Sequence, residues 1–398
     1  MPEAPLYWDP YDATIAADPW PIFARLRAEA PLYYNAEHDF YAISRSADVE
    51  RALTDWKTYS SARGIILEII KSGMDFPSGT LLFEDPPIHD IHRSLLVRVF
   101  TPRRVAALEP LVRDYCARSL DPLAGSDRFD LIKELGAELP MKVIGMLLGI
   151  PEADQVAIRD RSDATLRTTD GGKINFEESA LHDSDTFFFG DYIDWRMKNP
   201  SDDLMTDLIN AKFEDETGRE RTLTREEILT YVTVLAGAGN ETTGRLIGWI
   251  GAVLARNPDQ RKEIVADPAL VSNAVEEILR LEPPGPFTAR SITQDIELYG
   301  ETVPAGSAMM VLLGSANRDP DRFHNGDAFD IHRPVSQHLT FAVGPHYCMG
   351  AALARLEGKI AMEELLKRWP EWDVDWDDAH MSVTSTVRGW EQLPLVVG

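Results

Sequence analysis

The chain has 398 residues, 44% apolar and 26% charged, a globular composition that excludes a disordered, collagen-like or low-complexity protein. Its 65 acidic and 40 basic residues give a formal charge of −25, a field that repels nucleic acid and anionic membranes, so neither is expected as a partner. Cys116 and Cys348 are the only cysteines, which excludes a disulfide framework or a multi-cysteine zinc site and fits a reducing, cytoplasmic setting.

The opening MPEAPLYWDPYDA has no basic start and no apolar run, so no signal peptide is expected. No stretch reaches the roughly 18 apolar residues of a membrane span. Trp20–Ala28 has helical spacing, and the alternation in Asp39–Ser44 predicts a strand. From about residue 85 to 282 the pattern is mostly helical, with Pro102, Pro110, Pro122, Pro140, Pro151 and Pro200 between segments.

One predicted helix is unusual. Thr224-Arg225-Glu226-Glu227 forms a capping box, and helical spacing continues to Asn257-Pro258. About 33 residues at 1.5 Å each make a rod of about 50 Å, enough to cross the molecule. Its middle, Ala236 to Gly244, holds three glycines and the polar Asn240, Glu241 and Thr242. Each glycine costs up to about 1 kcal/mol against alanine. Two readings stand: the glycines allow close packing against another backbone, or they open a groove for a flat ligand with Thr242 at reactive chemistry.

Residues 283–340 turn to short strands and loops at Ile296–Tyr299, Ala308–Leu313 and Asn317–Pro320. Helix returns from Gly350 to about Arg368, with Leu353, Leu356 and Ile360 as its buried stripe. Residues 380–398 read as strands and a turn. The sum is a mainly α protein with small β-sheets, read as one domain over 1–398.

Cys348 lies at the predicted N-terminus of that last helix, where free amides and the dipole favour a thiolate. Gly344 allows a tight turn and Gly350 a close backbone approach. The arrangement suits a cysteine that holds iron as a fifth ligand, with backbone N–H groups tuning the sulfur. Cys116, in a helical run without nearby glycines, reads as an inert core residue.

Phe341-x-x-Gly344-x-x-x-Cys348-x-Gly350 resembles the haem-binding signature of the cytochrome P-450 superfamily. Ala238-Gly239-x-Glu241-Thr242-Thr243 resembles its oxygen-activating helix, and Glu277-x-x-Arg280 its Glu-x-x-Arg helix. The likeness covers nearly the whole chain. Asp85-Pro86-Pro87-Ile88-His89, Phe100-Thr101-Pro102-Arg103-Arg104 and Ala316-Asn317-Arg318-Asp319-Pro320 resemble the soluble bacterial members in particular. Two positions depart from the pattern: Ala342 stands where many members have glycine, and Ile91 where relatives often carry arginine.

The resemblance implies the cytochrome P-450 fold, with haem b between the long helix and the cysteine helix. Cys348 would be the thiolate ligand of the metal, and Phe341 and Gly350 would frame it. His89, Arg93, Arg290 and His346 would hold the haem propionates. Glu277 and Arg280 would form a structural ion-pair network with Arg333. Glu241 and Thr242 would be catalytic, delivering protons for O2 activation, while Ala238 and Gly239 leave room beside the haem. By position, Arg63–Phe83, Leu166–Phe189, Val234, Phe287 and Val387 would line a substrate pocket. It is mostly apolar, Leu82 and Phe287 included, so a hydrophobic small molecule is expected.

The expected activity is a haem-thiolate monooxygenase, acting on a terpenoid, steroid, fatty-acid or aromatic compound. Electrons would come from a separate ferredoxin and an NAD(P)H-dependent ferredoxin reductase, since the chain ends about 30 residues after the cysteine helix. Arg103, Arg104, Arg355 and Lys359 are candidates for a local basic patch that meets an acidic ferredoxin. A peroxygenase and a haem sensor or carrier remain alternatives, and both leave the Glu241-Thr242 pair unexplained.

Overall fold

The computed structural model describes residues 5–97, 100–150, 188–334, 337–382 and 386–398. The long helix runs from Arg225 to Arg256, 32 residues. It begins as its sequence dictates: the Thr224 hydroxyl accepts from the Glu227 amide, and the Glu227 carboxylate accepts from the Thr224 amide at 2.7 Å. It ends at Asn257, whose side-chain amide donates to the Val253 carbonyl, before Pro258 opens the next helix.

Two apolar cores share this helix. Its C-terminal half, with Leu246, Ile247, Trp249 and Ile250, packs with the cysteine helix and with helix Glu109–Leu120. Its N-terminal half, with Tyr231, Val232 and Ala236, packs with residues of helices Ile88–Val97, Leu139–Leu148 and Leu204–Asn210. The cysteine helix spans Ala351–Arg368 and buries Leu353 and Ile360, while Leu356 packs at the edge of the core. A Cβ at Gly358 would sit 3.0 Å from Leu246, so the two helices meet closely there. Cys116 is fully buried on Glu109–Leu120, and burial pushes its thiol up to about 12, as an inert core residue requires.

The main sheet has five strands in the order Leu32–Asn35, Phe40–Ile43, Ala308–Val311, Thr288–Ile292, Tyr59–Ser60. Phe40–Ile43 is the strand expected from alternation, and it pairs in parallel with Ala308–Val311. That strand runs antiparallel to Thr288–Ile292, with Met309 opposite Arg290. The predicted strand Ala308–Leu313 stops early, because Leu313–Ala316 turns into a short helix. Small strands also interrupt the region expected to be mostly helical. Arg128–Asp130 pairs with the C-terminal strand Pro394–Val396, and Lys212–Glu214 with Glu220–Thr222.

Helix Val271–Leu281 carries the expected ion-pair network. Arg280 makes two bonds to Glu277 at 2.7 and 2.8 Å, and Arg333 a third at 3.0 Å. Glu277 and Arg280 are wholly buried. No helix among the described residues is long and apolar enough to cross a membrane.

Candidate active site

The loop before the cysteine is held by its own backbone. The Cys348 amide donates to the Phe341 carbonyl at 2.8 Å. Gly344 has φ +74°, and a Cβ there would lie 2.7 Å from the Leu53 carbonyl oxygen, so only glycine fits. Ala342, where relatives often carry glycine, takes φ +56°. Phe341 is buried beneath the Arg355 guanidinium, 4.5 Å from its ring centre. A Cβ at Gly350 would be 3.9 Å from the Cys348 sulfur.

Cys348 is exposed by surface area, yet burial is the largest influence on its acidity and pushes the thiol up. Both hold for a side chain that faces an internal cleft rather than bulk water. The amides of Gly350 and Ala351, and the charges of Arg93 and Arg355, oppose that rise. The sulfur therefore sits at a helix N-terminus among donors and cations, an environment suited to a thiolate on a metal.

Two histidines and two arginines, distant in sequence, converge beside it. The rings of His89 and His346 lie 4.4 Å apart, and the Nε2 atom of each is buried with no partner among the described residues. Arg93 donates to the Tyr347 carbonyl at 2.5 Å, in the cysteine loop itself. Arg290 is 3% exposed and, among the described residues, bonds Thr288 Oγ1 and the Ala289 carbonyl. Burial, then Arg290, His89 and Arg93, push the His346 imidazole down to about 3. Burial brings the Arg290 guanidinium down to about 10, with Asp85 opposing. Two guanidiniums, and two imidazole nitrogens without a partner among the described residues, in one buried place fit an anionic group of more than one charge. The two carboxylates of a haem would satisfy them, and the adjacent sulfur would meet its iron, so the residues present fit the cofactor.

The middle of the long helix divides between the two readings of its glycines. A Cβ at Gly244 would lie 2.6 Å from the Gly136 carbonyl oxygen, and one at Gly239 would lie 2.7 Å from Ile144. These two serve close packing. Gly237 has open space beside it, and Ala238 is exposed. The room expected at Ala238 and Gly239 thus belongs to Gly237 and Ala238, because Gly239 is turned toward helix Leu139–Leu148. Thr242 is half-buried, and its hydroxyl donates to the Ala238 carbonyl at 2.9 Å. Glu241 is half-buried and forms an ion pair with Arg245 at 3.0 Å. Arg245 was not singled out from the sequence, although its position four residues after an acid on a helix is a readable signal.

The expected pocket residues do not all gather. Phe287 and Val387 line one cleft together with Trp8, Ile15 and Pro286. Phe287 also packs edge-on against Trp8, with ring centres 5.6 Å apart. Leu82 is half-buried in a single helical turn, and Val234 half-buried on the long helix. Most of Leu166–Phe189 lies outside the described residues. The four proposed basic positions are largely neutralised: Arg104 pairs with Asp207, Arg355 with Glu276 at 2.6 Å, and Lys359 with Glu363 at 3.8 Å. Only Arg103 among them has no acid partner among the described residues. His92 is buried and bonds Glu84 at 2.7 Å.

Known proteins agree with this geometry. The cytochrome P-450 family profile matches residues 173–381. The vitamin D(3) 25-hydroxylase of Pseudonocardia autotrophica is 33% identical over 396 residues, covering 98% of this chain and 96% of the relative. The cytochrome P-450 monooxygenase PikC of Streptomyces venezuelae is 34% identical over 394 residues, covering 96% and 91%. The solved structure of cytochrome P-450 CYP109Q5 from Chondromyces apiculatus superposes with a TM-score of 0.86 at 33% identity, covering 98% of each chain. On these likenesses this chain belongs to the cytochrome P-450 superfamily and is a haem-thiolate monooxygenase.

Proposed function

We propose that the chain binds haem b through Cys348 and oxidises a hydrophobic small molecule of terpenoid, steroid, fatty-acid or aromatic type. Electrons come from a ferredoxin and an NAD(P)H-dependent ferredoxin reductase in the cytoplasm. The whole chain, 1–398, acts as one domain. The observation that carries the cofactor assignment is the convergence of His89, Arg93, Arg290 and His346 beside Cys348, with two imidazole Nε2 atoms left unpaired. Two relatives named for hydroxylase and monooxygenase activity support the class of reaction.

When bound, the haem supplies oxygen activation and transfer. The residues of the chain do the rest. Cys348 binds the metal, its charge supported by the Gly350 and Ala351 amides. His89, Arg93, Arg290 and His346 would orient the carboxylates of the cofactor, with the two arginines balancing their charge. Ala238 and Gly237 keep one side of the long helix open. The Thr242 hydroxyl gives its hydrogen to the Ala238 carbonyl, which leaves its oxygen lone pairs to receive a proton donor. Glu241 is the carboxylate that passes protons inward. Phe287 and Val387, which share one cleft, and the half-buried Val234 and Leu82 supply apolar surface for the substrate.

Thr242→Ala tests the proton role. The variant should bind haem and substrate as the parent does and still consume NAD(P)H, but yield less product and more peroxide. If Thr242 only shapes the helix, stability changes by about 1 kcal/mol and the product-to-NAD(P)H ratio stays fixed.

A further inference from the structure

Arg245 joins three parts of the molecule. Its Nη2 bonds Glu241 at 3.0 Å and the Ser382 hydroxyl at 2.9 Å, and its Nη1 donates to the Trp390 carbonyl. Ser382 and Trp390 are 137 and 145 residues away in the chain, in the C-terminal hairpin. The hairpin is shaped around the arginine. A Cβ at Gly389 would lie 2.6 Å from the Arg245 Cβ and 2.8 Å from its Cδ, so glycine lets that strand cross the arginine stem. The Gly389 carbonyl then accepts from the Ser382 amide at 2.8 Å.

The same turn is anchored on its other side. The Arg388 amide donates to the Pro284 carbonyl at 2.7 Å, its guanidinium pairs with Glu282, and its own carbonyl accepts from Trp249 Nε1 at 3.1 Å. Val387, one residue earlier, lines the cleft with Phe287. Glu241 and the wall of that cleft are thus connected through one guanidinium and a fixed turn. A surface Glu–Arg pair one helical turn apart needs none of this, and is worth only a few tenths of a kcal/mol by itself. Here both side chains are 13% exposed.

We infer that Arg245 is a positioning residue for proton delivery, holding the Glu241 carboxylate in register with the C-terminal turn that walls the Phe287–Val387 cleft. The inference rests on the reading of Glu241 as the proton-passing acid. A planar fork with several donors suits the task, since one guanidinium can hold a carboxylate while fixed to backbone and hydroxyl acceptors. Loss of Arg245 removes a contact that fixes the Glu241 carboxylate, and the orientation needed for proton transfer is disturbed.

The test is a double-mutant cycle in the haem-loaded enzyme with Arg245→Gln, Glu241→Gln and the pair, each checked for haem content and thermal midpoint. Turnover, its solvent deuterium isotope effect, and amide exchange over residues 386–392 are measured. Arg245→Gln should lower turnover by roughly tenfold, raise the isotope effect and speed exchange in the turn. Adding it to Glu241→Gln should cost no further turnover. Gly389→Ala, which leaves Arg245 in place but forces the strand off its stem, should reproduce the raised isotope effect if Arg245→Gln folds poorly. Losses that multiply in the double variant, or an unchanged isotope effect in both Arg245→Gln and Gly389→Ala, would overturn the positioning role while leaving Glu241 intact. No effect of Glu241→Gln on turnover or isotope effect would overturn the reading of Glu241, and the inference with it.

Discussion

Ala342 carries a backbone cost that its neighbour Gly344 avoids. Both take positive φ, +56° and +74°. An L-residue with a Cβ pays about 1–2 kcal/mol there, and glycine does not. Ala342→Gly should therefore leave stability unchanged or raise it by up to about 1 kcal/mol, the gain being reduced by the extra freedom of an unfolded glycine. Gly344→Ala should lower stability and haem content, because its Cβ would meet the Leu53 carbonyl. Denaturant titration of both variants checks the pair, and equal signs would show that the loop conformation has been misread. Arg290 gives a second residue-scale prediction. Its guanidinium is buried, with Asp85 the charge that supports it. Arg290→Ala should weaken haem retention, by about 3–5 kcal/mol if it balances a buried carboxylate. The haem-free protein should lose less by the same change, since the burial cost of the guanidinium is removed with it. Exposed Arg219→Ala should affect neither.

The cysteine helix contains a buried carboxyl without a counter-charge among the described residues. Glu357 is 2% exposed, its Oε2 has no partner among the described residues, and burial pushes it from 4.5 up to about 8. It faces Cys116 across the contact with helix Glu109–Leu120, and its charge adds to the rise of that thiol. The folded chain therefore keeps a proton that the unfolded chain has released between pH 4.5 and about 8. Stability from this group must fall as pH rises through that window, and stay low above it. Glu357→Gln has nothing to titrate. Its stability relative to the parent should improve by a few kcal/mol between pH 5 and pH 9, at about 1.4 kcal/mol per pKa unit. Urea unfolding at the two pH values measures the difference, and a constant difference would place a counter-charge beside Glu357. The long helix makes a related point about elements. Its glycines serve different ends, Gly239 and Gly244 close packing and Gly237 open space.

At the scale of the molecule, charge decides how an electron donor approaches. The chain carries −25, and three of the four cations proposed for docking already face acids. An acidic ferredoxin would meet net repulsion rather than a steering field. Raising ionic strength from about 0.01 to 0.1 M shortens the screening length to about 10 Å. Reduction by such a ferredoxin should then become faster, the reverse of a steered pair. Stopped-flow rates across that range settle the sign, and a rate that falls with salt would require a basic patch outside the pairs described.

Local chemistry was legible in the sequence wherever its partners lie within a turn or two. Thr224 and Glu227 cap the long helix because they are three residues apart, and Cys348 precedes a helix whose apolar spacing is plain. The roles of His89, Arg93, Arg290 and His346 came from family resemblance, and only packing brings those residues, up to 257 positions apart, around one place. Tertiary structure alone decided which glycine of the long helix faces a neighbour. Successive residues on a helix point about 100° apart, so composition cannot say that Ile144 takes the space at Gly239 and nothing takes it at Gly237. It also decided that Arg104 and Arg355 are neutralised, and that Arg245 reaches Ser382 and Trp390 across the molecule. The physical reason is the same in each case. Periodicity and capping are properties of a segment, whereas ion pairs and close approaches between distant residues exist only once segments have packed.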